Sequence, residues 1–341
     1  MPERRSGVLT FGSFITDHNL AIESYPPEDR TTFISSRHLA AGGPGYNIAA
    51  NLRRLDPDMR VECHGLVGDD ENGKVVLDAL ARHGISADGM TLTREAPQVY
   101  VEVLASQATG RRTFFFFRGT ADLLDESHAD PGASRARIFH VGAPGLHPRL
   151  DRPHPEGGNG WTRVLERARE LGFRTNMEMA SLEGDLLRPI VRPCLPLLDS
   201  IVINDLEGEA VTEIEIRPEG VLDWAAAGRA CRRLREMGVR QVAAIHFPEG
   251  GVAVDAEGAL HAQAAVRWPD SRIVSAVGAG DAFAAGLVYG LHEGWPVPRG
   301  LELAVSVAAV CLESLDTNET IGSWRECEAE TAPYGYRNGP P

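Results

Sequence analysis

The sequence predicts an α/β protein: a three-layer sandwich with a mainly parallel central sheet, covered by helices on both faces, plus a small separate β-sheet. Two observations lead to this prediction. Short apolar segments alternate with amphipathic segments of about 10–15 residues along most of the chain, as strands alternate with crossover helices. Two stretches, 21–40 and 98–118, interrupt that alternation with β-branched and aromatic residues.

The individual elements follow in order from the apolar pattern. Residues 7–14 are short, apolar and punctuated by glycine, which indicates a buried first strand. The first helix has Ile48 and Leu52 on one face, and the second ends at Gly84. The predicted strands are 7–14, 61–68, 137–145, 173–179, 200–205, 241–247 and 272–277, and the predicted helices are 45–56, 71–84, 159–172 and 224–238.

The two interrupting stretches predict a small antiparallel sheet, here called the lid, with a turn at 106–111. Phe114–Phe117 are four consecutive phenylalanines, so period-2 geometry puts apolar rings on both faces of their strand. One face would cover a site and the other would meet a second copy of the chain. The alternative is a strand buried on both faces within the main body.

Composition excludes several classes of protein. With 43% hydrophobic and 24% charged residues the chain is globular, and a net charge of -14 argues against nucleic acid as a partner. The N-terminal segment lacks an apolar core and no window matches a membrane span, so we expect a cytoplasmic protein. The five cysteines are widely spaced and indicate neither a disulfide framework nor a zinc site. They are Cys63, Cys194, Cys231, Cys311 and Cys327.

The stretch "SAVGAGDAFAAG" (275–286) carries the strongest chemical signal. Gly278 and Gly280 remove side chains where the first N–H groups of a helix are unpaired, and those groups form an anion site. Asp281 would accept a proton from a hydroxyl beside the charge of a transferring phosphoryl group. A kinase acting on an alcohol combines these features. The alternative is a tight strand-to-helix turn with a dipole-stabilising aspartate.

Four ordered motifs resemble those of the ribokinase-like (pfkB) carbohydrate kinases, over roughly residues 8–315. "VGAGDAFAAG" is similar to the C-terminal signature of that family and "AAGGPGYNIAANLRRL" to its Gly-Gly signature. "GLVGDDENGKVVLDALARHGI" is similar to its strand, acidic turn and helix, and "VINDLEGEAV" to its N-x-x-E motif. The resemblance implies a Rossmann-like, ribokinase-like domain at 1–322, followed by an irregular tail at 323–341.

By this resemblance Asp281 is the general base, and ATP is the phosphoryl donor. Gly278, Ala279 and Gly280 supply the anion hole. The residues expected to bind the sugar are Asp17, Gly42, Gly43 and Asn47. A carboxylate and an amide suit adjacent hydroxyls, and the glycines let the backbone approach the sugar ring. The alternatives are an Asx-turn for Asp17 and helix capping for Asn47.

The resemblance also implies a metal and nucleotide region. Asn204 and Glu207 of the N-x-x-E motif would organise Mg²⁺ near the phosphates, with Glu207 acting through water. The alternative is an exposed acidic helix start. Gly250 and Gly251 would approach the nucleotide, and His246 would touch its phosphates or be a satisfied histidine at a strand end.

Three positions depart from the family pattern. Ser275-Ala276 replaces the usual Asp-Thr, which puts monovalent-cation activation in doubt. His246 and Pro248 stand where the family commonly has Thr or Lys and then Gly. Residues 176–180 lack the arginine of the D-x-N-x-R run; Glu178 as a magnesium ligand, or Arg112 or Arg118 as a substitute charge, are open alternatives.

The leading function is ATP-dependent phosphorylation of a small sugar or sugar-like molecule. A nucleoside kinase is the nearest alternative, with Tyr46, Phe114 and Phe116 as stacking surfaces. A sugar- or nucleotide-binding sensor is disfavoured by Asp281, since binding alone needs no base. A dinucleotide-dependent oxidoreductase is disfavoured because "GGPGYN" lacks the G-x-G-x-x-G spacing. A homodimer through the lid is a further expectation.

Overall fold

Thirteen strands and ten α-helices make up the part of the chain, residues 5–109, 111–314 and 316–340, that a computed structural model describes. Residues 1–4 of the predicted domain, Gly110 of the predicted lid turn and Pro341 of the predicted tail lie outside the described residues. The strands are β1 (Val8–Gly12), β2 (Ile15–Ile22), β3 (Ile34–Gly42), β4 (Val61–Gly68), β5 (Ser86–Thr93), β6 (Tyr100–Ser106), β7 (Arg112–Phe117), β8 (Ile138–Gly142), β9 (Arg174–Met177), β10 (Ser200–Asn204), β11 (Val242–Phe247), β12 (Gly250–Val254) and β13 (Leu260–Ala264).

The helices follow the strands in the predicted alternation. They are α1 (Pro44–Leu55), α2 (Glu71–Arg82), α3 (Pro148–Asp151), α4 (Gly160–Glu170), α5 (Gly184–Val191), α6 (Asp205–Thr212), α7 (Trp224–Glu236), α8 (Ala279–Glu293), α9 (Val297–Cys311) and α10 (Trp324–Thr331).

Nine strands form the central sheet, in the order β13-β12-β11-β10-β9-β8-β1-β4-β5. All neighbours are parallel except β11–β12 and β12–β13, which are antiparallel. The carboxyl ends of β1, β8, β9, β10 and β11 therefore meet at one edge, where ligands of open α/β sheets bind. The predicted mainly parallel sheet is confirmed, although β5, β12 and β13 were not predicted as strands.

The sheet is buried on both faces, which makes the molecule three-layered. Val8 packs in one apolar core together with residues of α1, α8 and α9, whereas Leu9 packs in a second core with residues of α4, α5 and α7. On β8, Ile138 packs in the first core and Phe139 packs in the second. Successive side chains of a strand point to opposite faces, so a strand between two layers of helices reads as a continuous apolar run.

The lid is a four-stranded sheet in the order β3-β2-β6-β7. β2–β3 and β6–β7 are antiparallel, but the central pair β2–β6 is parallel, so the prediction of a wholly antiparallel sheet is wrong. The reason is connectivity. β2 follows β1 and β6 follows β5, and both of those belong to the parallel part of the central sheet, so the two lid strands leave it in the same direction.

The phenylalanine run lies on β7, at the edge of the lid. The side chains of Phe114, Phe115, Phe116 and Phe117 are 57%, 49%, 37% and 40% exposed. Both faces of this strand therefore present rings to solvent. The alternative of a strand buried on both faces in the main body is wrong.

Residues 272–277 do not form the strand that their β-branched content predicted. The backbone N–H groups of Val274 and Ser275 both donate to the carbonyl of Leu312, at 2.8 and 3.0 Å. The segment is thus held against the end of α9 instead of pairing with a strand, and it leads directly into α8.

The tail predicted as irregular contains α10. Ser323 and Glu326 form a capping box that starts this helix, and Cys327 and Thr331 are buried on its inner face. The Thr331 hydroxyl donates to that of Ser306 in α9 at 3.0 Å. Within the described ranges, no helix has both the length and the apolar character needed to cross a bilayer.

Candidate active site

Three cavities lie along the carboxyl edge of the central sheet and under the lid. The first, here called the acceptor cavity, has a volume of about 540 Å³ and is lined by lid residues and by α1 and α2. The second, the carboxylate cavity, measures about 160 Å³ and contains Glu178, Glu207 and Asp281. The third, the apolar cavity, measures about 410 Å³ and shares Asn204, His246 and Gly280 with the second.

The Gly-Ala-Gly-Asp stretch forms the N-terminus of α8, as the motif predicted. Gly278 is the N-cap with φ +83°, and a Cβ there would lie 2.6 Å from that of Thr317. Only glycine fits this left-handed, crowded position. Among the described residues, the N–H groups of Gly280 and Asp281 meet neither a backbone nor a side-chain acceptor. Two free donors therefore stand at the positive end of a 15-residue helix: that of Gly280, which lines the carboxylate and apolar cavities, and that of Asp281, which lines the carboxylate cavity. The Ala279 N–H, expected to form part of the anion hole, instead donates to the Ala276 carbonyl at 3.3 Å.

Asp281 lines the carboxylate cavity. Burial, followed by the neighbouring Glu178 carboxyl, raises the pKa of Asp281 from 3.8 to about 7. The charge of Asp281 in turn helps raise the pKa of Asp17, which lines the acceptor cavity. A carboxyl poised near neutral pH in this position suits proton abstraction from a bound hydroxyl.

Asn47 contacts Asp281 and does not line the acceptor cavity. Its Nδ2 donates to Asp281 Oδ2 at 2.6 Å, and its Oδ1 accepts from the Thr317 hydroxyl at 2.8 Å. The helix-capping alternative is wrong, because Gly43 is the N-cap of α1 and receives no side-chain hydrogen bond. The structure thus brings Asn47 to the candidate base, where it fixes the orientation of the carboxylate.

Asp17 is a strand residue, opposite Ala40 and Val101 in the lid, so the Asx-turn alternative is wrong. A Cβ on Gly42 would lie 2.2 Å from Asp17 Oδ2, so this carboxylate reaches its position because residue 42 is glycine. Burial is the main cause that raises the pKa of Asp17 to about 7. Asp17 lines the acceptor cavity, whereas Gly42 and Gly43 lie behind it.

Asn204 and Glu207 cap the start of α6. The Asn204 side chain accepts from the Glu207 N–H, and Glu207 Oε2 accepts from the Asn204 N–H, both at 2.9 Å. Glu207 Oε1 also accepts from the Ser181 hydroxyl at 2.9 Å. Glu207 is buried, so the alternative of an exposed acidic helix start is wrong. Burial raises the pKa of Glu207 to about 7.

The donor set of the carboxylate cavity suits Mg²⁺. It offers carboxylate and amide oxygens, which are the ligands that this cation prefers, and its three buried carboxyl groups lack a compensating charge. Both Glu207 oxygens already accept hydrogen bonds that hold the turn. Contact through metal-bound water keeps those bonds, so the geometry fits the water-mediated role expected for Glu207.

Glu178 ends a buried hydrogen-bond chain instead of pointing to solvent. The Asn176 amide donates to Ser200, and His140 Nδ1 donates to Asn176 Oδ1 at 2.7 Å. Burial lowers the pKa of His140 to about 4, so its Nε2 is an acceptor, 3.3 Å from Glu178 Oε1. Burial and the Glu207 charge raise the pKa of Glu178 well above its ordinary value. When protonated, Glu178 donates to His140 across this contact.

The apolar cavity matches a nucleobase in size and lining. Phe247, Trp268 and Phe283 contribute rings, and small side chains of α8 and α9 form the floor. His246 lies against Phe283, with ring centroids 5.1 Å apart, and burial lowers its pKa to about 4. The imidazole is thus neutral and brings no positive charge to a phosphate.

Of the two glycines predicted for nucleotide binding, Gly250 lines the apolar cavity and Gly251 packs beneath the Phe283 ring. A cation in this cavity was missed by sequence reasoning. Arg337 reaches it because the Arg337 N–H donates to the Ala265 carbonyl at 2.8 Å, which pins the tail beside β13. No sequence motif marks this residue, since only the fold brings the tail there.

Neither candidate substitute for the missing family arginine lines the carboxylate cavity or the apolar cavity. Arg118 pairs with Asp122 at 3.3 Å on the surface, and Arg112 lines the acceptor cavity. Of the predicted aromatic surfaces, Tyr46 and Phe114 line the acceptor cavity, and Phe116 does not.

The chain resembles known proteins in both sequence and structure. A family model described as pfkB family carbohydrate kinase matches residues 5–323. The ATP-dependent ribose-1-phosphate kinase of Halopiger xanaduensis is 26% identical over 308 residues, which cover 89% of this chain and 90% of that protein. Probable fructokinase-4 of Arabidopsis thaliana is 30% identical over 143 residues, so the match spans 41% of each chain. The solved structure of Arabidopsis thaliana ribokinase complexed with ribose and ATP matches with a TM-score of 0.76 at 18% identity, covering 95% of this chain and 98% of that chain. The structural likeness confirms the predicted fold.

Replacing Asp281 with asparagine should stabilise the protein in a pH-dependent way. The folded state holds the Asp281 proton more tightly than the unfolded chain, so the wild type loses stability as pH rises between about 4 and 7. Asparagine escapes this loss and still accepts the Asn47 hydrogen bond. At about 1.36 kcal/mol per pKa unit, reduced for partial exposure, the gain in free energy of unfolding should be larger at pH 8 than at pH 5 by about 1–3 kcal/mol.

Urea denaturation at the two pH values, in metal-free buffer, measures this difference. Asp58→Asn, at an exposed position, is the matched control and should show no such pH dependence. An equal gain for Asp281→Asn at both pH values would contradict the assignment of a raised pKa to this carboxyl.

Proposed function

Because this chain belongs to the pfkB family of carbohydrate kinases, we propose that it transfers the γ-phosphoryl group of ATP to a hydroxyl of a small sugar or sugar-like acceptor. One observation carries the proposal: Asp281, with a pKa near 7, stands in the first turn of α8 with the free N–H donors of that turn, and its charge reaches Asp17, which lines the acceptor cavity. Base, anion hole and acceptor cavity are thus adjacent.

The acceptor is bound through its hydroxyls. Asp17 presents carboxyl oxygens to the acceptor cavity from β2, and the Gly42 backbone lets it lie flat against β3. Neighbouring hydroxyls of a polyol donate to such a carboxylate. Asn47 does not contact the acceptor in this proposal. Its side chain donates to Asp281 Oδ2, so we assign it the role of positioning Asp281 in place of the predicted sugar contact.

Transfer consists of one proton movement and one phosphoryl movement. Asp281 takes the hydroxyl proton as the acceptor oxygen forms a bond to the γ-phosphorus, and the bond from that phosphorus to the bridging oxygen of ADP breaks. The N–H groups of Gly280 and Asp281 donate to the phosphoryl oxygens, where the α8 dipole favours negative charge. Binding the phosphoryl group beside these donors aligns it with the acceptor hydroxyl.

In this proposal the nucleotide binds in the apolar cavity. Its rings and small side chains suit a nucleobase, and Arg337 supplies a positive charge near Gly250. Asn204 and Glu207 would hold Mg²⁺ through its water shell, and the ion would shield the charge of the β- and γ-phosphates. When it is protonated and bonded to His140, Glu178 adds no negative charge beside the phosphates.

A nucleoside kinase is the second candidate. It is favoured by Tyr46 and Phe114, two rings that line the acceptor cavity and offer faces for a second base. A non-catalytic sensor is disfavoured, because binding alone does not explain a carboxyl held at the helix N-terminus with a raised pKa. The five cysteines are buried free thiols, which supports a cytoplasmic location.

The lid supports the further proposal of a homodimer. β7 is an edge strand, and its row of exposed phenylalanines offers both unpaired backbone groups and apolar surface. A second copy that pairs along this edge would cover both. Such an interface would stiffen the strand that closes the acceptor cavity.

Asp281→Asn should lower kcat by about 10²–10⁴-fold while leaving acceptor affinity within about twofold, because the amide keeps the Asn47 contact and loses the base. ATP-consumption assays over a panel of sugars and nucleosides, with equilibrium binding of the best acceptor, measure both quantities. Asp58→Asn serves as the control. Near-normal turnover of Asp281→Asn would remove this residue from the base role.

Glu207→Ala should raise the Mg²⁺ concentration needed for half-maximal activity by about tenfold or more, because it removes a second-sphere partner of the ion. A metal titration at saturating ATP measures the change. Glu215→Ala, at an exposed position just beyond the same helix, is the control. An unchanged metal requirement would count against the proposed magnesium role.

Phe115→Ser should shift the protein from twice the mass of a single chain to that of one chain in sedimentation equilibrium. Leu186→Ser is a matched control, since Leu186 is also 49% exposed but lies on α5, outside the lid. A wild-type protein that sediments as a single chain would rule out the lid homodimer.

A further inference from the structure

Three arginines line the acceptor cavity, each from a different element. Arg54 lies on α1, Arg82 on the last turn of α2 and Arg112 at the start of β7. A neutral sugar does not require this concentration of positive charge. The group also runs against the composition of the chain, which has 48 acidic and 34 basic residues.

None of the three guanidinium groups has a carboxylate within 4 Å among the residues that the structure describes. Elsewhere arginines find acidic partners, as Arg240 does with Asp199 at 2.6 Å. Arg54 donates only to the backbone carbonyls of Glu319 and Ile321, which orient it without neutralising it. Among the described residues, Arg112 Nη1 is buried and lacks a hydrogen-bond partner. Burying a donor without a hydrogen bond costs free energy, so this nitrogen favours a ligand that accepts from it.

Two of the arginines act on one corner of the cavity. After burial, the positive charges of Arg54 and Arg82 are the main causes that lower the pKa of His83. The same two charges oppose the rise in the pKa of Tyr46, whose ring lies 6.2 Å from that of His83. The corner thus combines two guanidinium groups with a phenol hydroxyl and an imidazole, all of which can donate to an anion.

The acidic residues of the cavity form no ion pair with these arginines in the described part of the chain. Asp316 lies 3.4 Å from His38 Nε2, and the Glu319 carboxylate accepts from the Ser314 hydroxyl at 3.3 Å. Asp17 belongs to the hydroxyl-binding end, next to Asp281, and its charge and that of Asp316 act on Arg112 from beyond ion-pair distance. The arginines are therefore available to a ligand.

We propose that the acceptor carries an anionic group, a phosphate monoester or a carboxylate, bound by Arg54, Arg82 and Arg112 while its hydroxyl faces Asp281. The proposal rests on the kinase function proposed above and narrows its substrate class. Guanidinium groups match both anions in geometry and remain charged at all relevant pH values. Because Arg112 belongs to the lid, binding the anion also draws the lid over the acceptor and excludes water.

The test compares acceptors that differ in charge: ribose with ribose 5-phosphate, glucose with glucuronate, and inosine as a neutral nucleoside. kcat/KM should be at least about tenfold higher for a charged acceptor than for its neutral partner. Arg82→Ala and Arg112→Ala should each lower kcat/KM for the charged acceptors by about ten- to hundredfold, mainly through KM, and lower that of the neutral acceptors by a much smaller factor. Arg112→Lys should retain part of the preference.

Arg111→Ala is the matched control, because Arg111 precedes Arg112, is exposed and does not line the cavity. Equal or better use of the neutral acceptors, or an unchanged preference in Arg82→Ala and Arg112→Ala, would overturn the anion site and leave the kinase function standing. A preference for ribose 5-phosphate would identify the anion as a phosphate monoester, and a preference for glucuronate would identify it as a carboxylate.

A complete absence of ATP consumption would instead contradict the kinase function. Calorimetry without ATP then decides the anion site independently. Binding of ribose 5-phosphate or glucuronate that weakens in Arg112→Ala and not in Arg111→Ala supports the site. Equal binding by both variants, or none by the wild type, overturns it.

Discussion

The hydrogen bond from Asn47 to Asp281 is the contact on which the site depends. It joins the first turn of α1 to the first turn of α8, across 234 positions of sequence, and Thr317 fixes the Asn47 amide from the opposite side. α1 itself starts directly after the lid strand β3. One side-chain amide thus aligns the candidate base with both the lid and the core, and a shift of either element moves the carboxylate.

Four carboxyl groups are buried close together in the site, and ionising them there costs free energy. Asp17, Glu178, Glu207 and Asp281 all have raised pKa values, with burial as the first cause. Such groups destabilise the fold when ionised, and they favour a ligand that arrives with positive charge. The Mg²⁺ ion proposed for this site would offset part of that charge.

Local pattern was enough to predict the alternating layers and the start of α8, since each depends on residues a few positions apart. Long-range placement was not predictable in this way. Asn47 has the composition of a helix cap, and only its distance to α8 reveals another role. Residues 272–277 have strand composition, but the Leu312 carbonyl takes their N–H groups. The three arginines of the acceptor cavity lie in three elements and form no motif.

The parallel pairing of β2 with β6 also constrains the order in which the chain acquires its structure. Asp17 and Val101 face each other in this pair, and α1, β4, α2 and β5 lie between them in the chain. Closing so long a loop is entropically costly unless the intervening elements are already folded. We therefore expect the lid to assemble after this half of the core, so that a nascent chain acquires its acceptor cavity only once the supporting sheet exists.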